Sequence, residues 1–449
     1  MKRFFSLFLV LMIILSLGLI GCKEKTTTET TIETSAETTS DQTTAESLPE
    51  TTVSEKKVRT VEEREDALPG ESITPKDFNR DFLPGIENVG AVPLKKYKIA
   101  FSNGDFSNEW RRNFYEDMLN YAKMYTDTFG IEFISANSGN NSVKQLQDIQ
   151  SLLAQKPDIL IMSPNESGPL TAVVDFCKEA GIPLMTIDRA IDASPGDDVY
   201  ISAILIDGYR SGVAQGINLV KRLTEKYGTP KGNVAEIPGI LGATPSKFAS
   251  MGVRRVLADY PEIKIVTVRP GEYDAQISFK AAQDILTVNK KGTLDAIIDS
   301  STDATQAVIE AIKSAGRDEL LGYIFGIDGT VADVEAILRG DVYHVSEEPP
   351  FFGMITFEYA IHYLNGESIP PIVPMPQRVL TAETPEKKAK LESMLKATKE
   401  KGLLFIPSSE GGYDLFVMDK EMQMKYYPKP YWEQPAEYLT EFEPYTEMK

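Results

Sequence analysis

The sequence predicts an α/β protein built from two doubly wound parallel-sheet lobes joined by a hinge. Three observations carry that prediction. From Lys95 onward, short apolar runs alternate with segments of helical spacing. The runs are apolar on both faces, as strands covered by helices on each side must be. The alternation also restarts near Asp198 and runs longer than one sheet comfortably holds, so the chain divides into two lobes.

The elements follow in order. "KYKIAFS" reads as a strand, "NEWRRNFYEDMLNYAKMYTDTF" as a helix and "IEFISA" as a strand. "SVKQLQDIQSLLAQ" is a helix, "DILIMSP" a strand, "GPLTAVVDFCKEAG" a helix and "IPLMTID" a strand. The second series opens with "DVYISAI", extended, and the helix "DGYRSGVAQGINLVKRLTEKYG". Its strands are "GNVAEIPG", "IKIVTVRPG", "DAIIDSS", "YIFGIDG" and "VYHVSEE". Its helices are "KFASMGVRRVLADY", "QISFKAAQDILTVN", "DATQAVIEAIKSAG", "VADVEAILRG" and "FFGMITFEYAIHYLNG". The expected lobes are residues 95–203 with 348–374, and 204–347 with 375–385, crossing near Ala203, Glu348 and Pro374. The proline-rich "PPIVPMPQ" leads into a charged helix, "ETPEKKAKLESMLKATKEKG", and an extension over 386–449. Its Tyr427, Tyr431 and Trp432 are expected to pack on the lobes, because exposed aromatics at such density invite association.

Ahead of the lobes lie two segments of other kinds. "MKRFFSLFLVLMIILSLGLIGC" has two basic residues, an apolar run and small residues before Cys22, the pattern of a secretory signal. The ending "LIGC" resembles a bacterial lipobox, which implies cleavage before Cys22 and a lipid on its thiol. An uncleaved membrane anchor is the alternative, although the run is short for a span. Either way the rest of the chain is placed outside the cytoplasm and held to a membrane. Residues 23–94, Thr- and Glu-rich at the start, cannot bury enough apolar surface to offset ordering and are expected to be a disordered tether.

The bulk numbers exclude several classes. A net charge of −19 argues against a nucleic-acid partner. Two cysteines and two histidines, without ligand spacing, argue against a zinc site. Neither histidine follows a nucleophile elbow. With Cys22 lipidated, Cys177 has no disulfide partner, and its helical context makes it a packing residue. "GILGATPS" has glycines but no phosphate-binding pattern. No cofactor is implied.

In doubly wound sheets, ligands bind beyond the carboxyl ends of the strands. The residues there run from Ser102 to Asp105 with Asn108 and Trp110, then Ala136, Asn137, Ser163, Asn165, Asp188 and Arg189. In the second series they are 239–247, 272–274, 300–303, Asp328 and 346–348. Carboxylates and amides with flat aromatics suit a neutral polyhydroxylated ligand: the charged groups hold vicinal hydroxyls, and an aromatic face covers the apolar side of a sugar ring. "LMTIDRAIDA" poses the sharpest question, because adjacent residues of a strand point to opposite faces. Asp188 and Arg189 can both reach a cleft only if the strand has ended.

Four stretches carry a family resemblance. "ILIMSPNESGPLTAVVDFCKEAGIPLMTIDRAI", "STDATQAVIEAIKSAG", "GIDGTVADVEAILRGD" and "VSEEPPFFG", in that order, resemble the type I periplasmic sugar-binding proteins of ABC transporters, the ribose binders among them. The resemblance runs from about Lys95 to about Pro376. It implies a ligand set of Asn108, Trp110, Arg111, Asp188, Arg189, Lys247, Tyr273, Ser301, Asp303, Asp328 and Glu347. Lys247 stands where ribose binders carry arginine, Tyr273 where they carry phenylalanine, Ser301 on an asparagine and Glu347 on a glutamine. These departures leave a small sugar or polyol as the expected ligand without singling out ribose. Each residue also has a plainer role open to it: a surface ion pair for Asp188 and Arg189, core packing for Trp110, a helix cap for Asp328, a solvated hinge for Glu347. The resemblance implies no enzyme. It implies a receptor that closes about its hinge on ligand and presents the closed form to an ABC transporter permease. A sensory receptor for a membrane kinase or chemoreceptor is the alternative. A lipid-anchored glycoside hydrolase stands third and predicts turnover.

Overall fold

The first sheet has six strands in the order β11-β5-β4-β3-β1-β2. They are β1 (Lys98–Asn103), β2 (Glu132–Asn137), β3 (Ile159–Ser163), β4 (Leu184–Asp188), β5 (Tyr200–Leu205) and β11 (Ile372–Pro374). The second, in the order β12-β10-β9-β8-β6-β7, has β6 (Gly232–Ile237), β7 (Ile263–Val268), β8 (Ala296–Asp299), β9 (Ile324–Asp328), β10 (His344–Glu347) and β12 (Val379–Leu380). Only β12 pairs antiparallel, with β10. A computed structural model of the chain describes residues 85, 90–106, 108–375, 377–406 and 425–426. The expected signal segment with Cys22, nearly all of the tether, and Tyr427, Tyr431 and Trp432 lie outside the described residues. Among the described residues, no helix is long and apolar enough to cross a membrane.

Helices cover both faces of each sheet. The first carries α1 (Glu109–Phe129), α2 (Ser142–Leu153), α3 (Val173–Ala180) and α9 (Gly353–Leu364). The second carries α4 (Gly208–Tyr227), α5 (Thr244–Leu257), α6 (Ala275–Val288), α7 (Thr302–Ser314), α8 (Val331–Arg339) and α10 (Pro385–Glu400). Strands β3, β4, β5 and β9 are buried at every residue, which is why they read as unbroken apolar runs. Cys177 is fully buried in the first core. The α4–α5 contact depends on glycine: a Cβ on Gly212 would sit 1.9 Å from the Ala249 carbonyl oxygen, and one on Gly252 2.2 Å from that of Tyr209.

The lobes belong to one compact unit. The chain crosses between them at 206–207, 348–352 and 375–378. The first crossing falls after the expected Ala203, because Ala203, Ile204 and Leu205 all pair with β4 and β11 inside the first sheet. "DVYISAI", whose residues 198–203 fall within the expected first lobe, therefore lies there as a whole. Past the last crossing, α10 sets Leu391 and Met394 into the second core, and Phe405 bridges to Thr330. Tyr426 is buried, with its hydroxyl donating to Asp259 Oδ2 at 2.9 Å.

Candidate functional site

Backbone conformation answers the question posed by "LMTIDRAIDA". Asp188 ends β4 with φ 66° and Asp328 ends β9 with φ 102°. In the left-handed region the chain turns sharply, so strand alternation stops and Asp188 and Arg189 both enter the cleft. Tyr273, which faces them from the other lobe, has φ 58°. Such backbone costs about 1–3 kcal/mol per non-glycine residue and collects where a site needs a particular aim.

Asp188 stands between two guanidinium groups. Arg111 Nη1 lies 2.7 Å and Arg189 Nε 3.6 Å from its Oδ2, and the Ser163 hydroxyl donates to the same oxygen at 3.2 Å. Arg189 Nη1 donates to the Asn165 carbonyl at 2.8 Å, while its buried Nε makes no hydrogen bond. Burial, and then the neighbouring charge of Arg111, bring the Arg189 guanidinium down to about 10. Asn165 Oδ1 is buried and unpartnered as well. Buried, unsatisfied polar atoms at the strand ends mark the place where a ligand's hydroxyls can complete the hydrogen bonding.

Arg111, Asp188 and Arg189 line a small cavity between the lobes. The first lobe contributes Asn108, Trp110, Arg111, Asp188 and Arg189, and Ile206 enters from the first crossing. The second contributes Pro245, Tyr273, Ser300, Ser301 and Asp328, and Glu348 enters from the second crossing. Asn108 caps α1 through its Oδ1 and donates from Nδ2 to the Tyr273 carbonyl at 3.2 Å across the cleft. Ser167 N to Gly242 O and Ala190 N to Thr244 Oγ1, each 3.2 Å, add further bonds between the lobes. The lobes are therefore closed on one another.

Two aromatic residues bound the cavity. Trp110 stacks on Phe114 with ring centroids 5.4 Å apart, lies 4.8 Å beneath the Arg111 guanidinium and donates from Nε1 to the Glu348 carbonyl at 2.7 Å. It is a core residue and a cavity wall at once. Tyr273 holds the Arg189 guanidinium 5.7 Å from its ring centre. Asp328 Oδ2 accepts the Thr302 amide at 2.8 Å, at the start of α7. It does not cap α8; Thr330 does so, in a reciprocal box with Asp333. Burial raises the Asp328 carboxyl well above its usual range and pushes Glu348 up to about 8. The cavity thus offers one carboxyl paired with two guanidiniums, and two others that burial holds toward the neutral form, which can donate as well as accept.

Three residues of the expected set stand elsewhere. Lys247 is exposed, one turn into α5, and lines a wider lateral groove with Phe248; Pro245 takes the cavity position. Glu347 points away, into a buried two-oxygen ion pair with Arg378, because it is still on β10 and faces the strand β12 beside it. Asp303 is half-buried on α7 outside the cavity, beside Ser301, which caps that helix. Glu348, placed by the sequence at a crossing and among the strand-end residues, lies outside the implied ligand set yet lines the cavity; position parity with Ser346, which bonds back to Ser211 O at 3.0 Å, was the available signal.

Comparison with known proteins fits this geometry. A family model described as a periplasmic binding protein domain matches residues 99–368, so the chain belongs to that family. The ribose import binding protein RbsB of Salmonella typhimurium is 24% identical over 282 residues, 63% of this chain and 89% of that protein. The galactofuranose-binding protein YtfQ of Escherichia coli is 25% identical over 62% of this chain and 85% of its own. Among solved structures, the periplasmic binding protein of the arabinose ABC transporter from Shewanella sp. ANA-3, bound to α- and β-L-arabinofuranose, superposes with a TM-score of 0.60 at 25% identity, covering 68% of this chain and 98% of that one. The fructose-binding periplasmic domain of the hybrid two component system BT1754 shares the fold with a TM-score of 0.58 at 22% identity, over 68% and 98% of the two chains.

Proposed function

We propose that this protein is an extracytoplasmic receptor that captures one small neutral sugar or polyol between its lobes and hands it to an ABC transporter permease. The observation that carries this reading is the closed cavity at the carboxyl ends of both sheets, with Asp188 held between Arg111 and Arg189 and with Asp328 facing them from the second lobe. A paired carboxylate presents fixed acceptors, guanidinium N–H groups present fixed donors, and the Trp110 and Tyr273 rings cover a sugar's apolar side. Ligand contacts from both lobes favour the closed state. The names of the relatives support a sugar as the ligand class. Arg111, Asp188, Arg189, Tyr273, Ser301 and Asp328 are the proposed contacts, with Asn108 holding the closed geometry. Cys22, lipidated after cleavage, anchors the receptor to the membrane; loss of membrane fractionation in Cys22→Ala tests that part.

The ligand is found by a thermal-shift screen of ribose, arabinose, galactose, xylitol, myo-inositol and nucleosides. A ligand at a hundred times its Kd adds about 2.7 kcal/mol of stability, which raises the melting temperature by roughly 3–4 °C for a chain of this size. Recovery of the sugar unchanged by NMR after incubation excludes turnover. A screen with no shift across sugars, polyols and nucleosides sinks the reading. A kinase rather than a permease in a membrane pull-down turns it into sensing.

A further inference from the structure

Glu348 occupies an unusual junction. It sits in the second crossing, is 5% exposed, and lines the cavity. Its backbone amide donates to the Asp328 carbonyl of the second lobe at 3.0 Å, and its own carbonyl accepts the Trp110 indole N–H of the first at 2.7 Å. Its carboxyl reaches the other crossings. Oε1 accepts the hydroxyl of Ser211, on the helix that follows the first crossing, at 2.5 Å, and the amide of Gln377, in the third, at 3.3 Å. Gln377 also donates to Ser211 Oγ at 2.8 Å, which closes the triangle. One side chain therefore gathers all three inter-lobe connections, and its main chain touches a cavity residue of each lobe.

We propose that Glu348 couples the cavity to the hinge: its protonated carboxyl holds the three crossings together in the closed form, and its ionisation releases them. This rests on the reading of a receptor that works by closure. The electrostatics around the carboxyl agree with the geometry. Asp188 at the end of β4 and Asp207 at the first crossing are the acidic groups that oppose a negative charge there, Asp328 at the end of β9 is a third carboxyl facing it and is raised in turn, and Arg111 and Arg189 are the cationic groups across the cavity. Tyr273 faces it from the second lobe, and Ser211 and Gln377 are neutral. Burial, opposed by the Ser211 hydrogen bond and reinforced by Asp188 and Asp207, moves the carboxyl up to about 8. Opening admits water and returns it toward the ordinary carboxylate range. Between those two values, rising pH favours the open form by up to tenfold per pH unit.

The test measures lobe separation without ligand. Spin labels go on Val143→Cys in α2 and Ile277→Cys in α6, both exposed, in the full chain carrying Cys22→Ser, where Cys177 stays buried. The wild-type hinge is expected to give the short, closed distance at pH 5.5 and a growing long component toward pH 9. Glu348→Gln, which keeps the hydrogen bonds and cannot ionise, should stay closed throughout. Ser211→Ala and Gln377→Ala should lengthen the distance at pH 5.5. Ribose and L-arabinose then serve as probes, and their Kd should weaken with pH in wild type and stay flat in Glu348→Gln. Equal pH responses in wild type and Glu348→Gln, or no response in wild type, overturn the proposal. If neither sugar binds while the label distances behave as expected, the choice of ligand fails and the coupling stands.

Discussion

Replacing Asp188 by alanine removes the carboxyl that two buried cations share. Arg111 and Arg189 are 4% and 2% exposed, so neither can turn to water for compensation. Breaking one side of a buried ion pair costs about 3–5 kcal/mol. The Ser163 hydroxyl also loses its acceptor, and alanine tolerates φ 66° less readily than aspartate, adding roughly 1 kcal/mol. Asp188→Ala is therefore expected to lose about 4 kcal/mol or more, or roughly 6 °C in melting temperature at this size. Asp188→Asn keeps the left-handed tolerance and an acceptor for Ser163, and should lose less. The assay is ligand-free unfolding in urea and by heat, compared with wild type at one pH. A loss under about 1 kcal/mol for Asp188→Ala refutes the reasoning, because only a solvated pair is that inexpensive to break. The same variant should abolish the thermal shift produced by the best sugar.

Other consequences follow from residues outside the cavity. Arg378→Ala strands the buried Glu347 carboxylate and should cost about 3–5 kcal/mol, measured in the same melts; Glu347→Gln with Arg378→Met should recover much of that loss. Lys247→Ala should leave the ligand-induced shift intact, since the side chain is exposed in the lateral groove; a lost shift moves the ligand there. His362 holds Glu358, which binds the amides of Gly90 and Ala91, and also meets Glu367 at 2.7 Å. Burial opposes its charge, but the bonds to Glu358 and Glu367 outweigh that and raise its pKa. The stability it contributes is full below the unfolded value and is lost as pH rises through the raised one. Melts between pH 5.5 and 8.5 should show that decline, and His362→Gln should make it shallower, leaving the part that the raised Glu348 carboxyl contributes.

The lobes were legible because a parallel strand covered on both faces must be apolar throughout, as β3, β4 and β9 are. Asp188 and Arg189 were legible as a cleft pair by elimination: two adjacent charges after a buried strand can share a side only where the strand has stopped. The end of β5 was not, since Ala203 to Leu205 continue an apolar run that pairing alone assigns to one sheet. Glu347 and Glu348 differ in sequence only by the parity that Glu348 shares with Ser346. Which of them faces the cavity depends on where β10 releases the chain, and β12, a two-residue strand supplied from far along the sequence, fixes that by holding Glu347 to Arg378. Lys247 and Pro245 divide in the same way, through the rotation of α5. No sequence pattern announced that three crossings would converge on one carboxyl.

The central claim is that a neutral sugar or polyol is held at the Asp188 junction between closed lobes. A crystal structure with the best ligand from the screen tests it most directly. The ring is expected in the cavity between Trp110 and Tyr273, with hydroxyls within hydrogen-bonding distance of Asp188, Arg189 and Asp328. A ligand seated in the lateral groove beside Lys247 and Phe248, or lobes apart with the ligand on one of them alone, contradicts it.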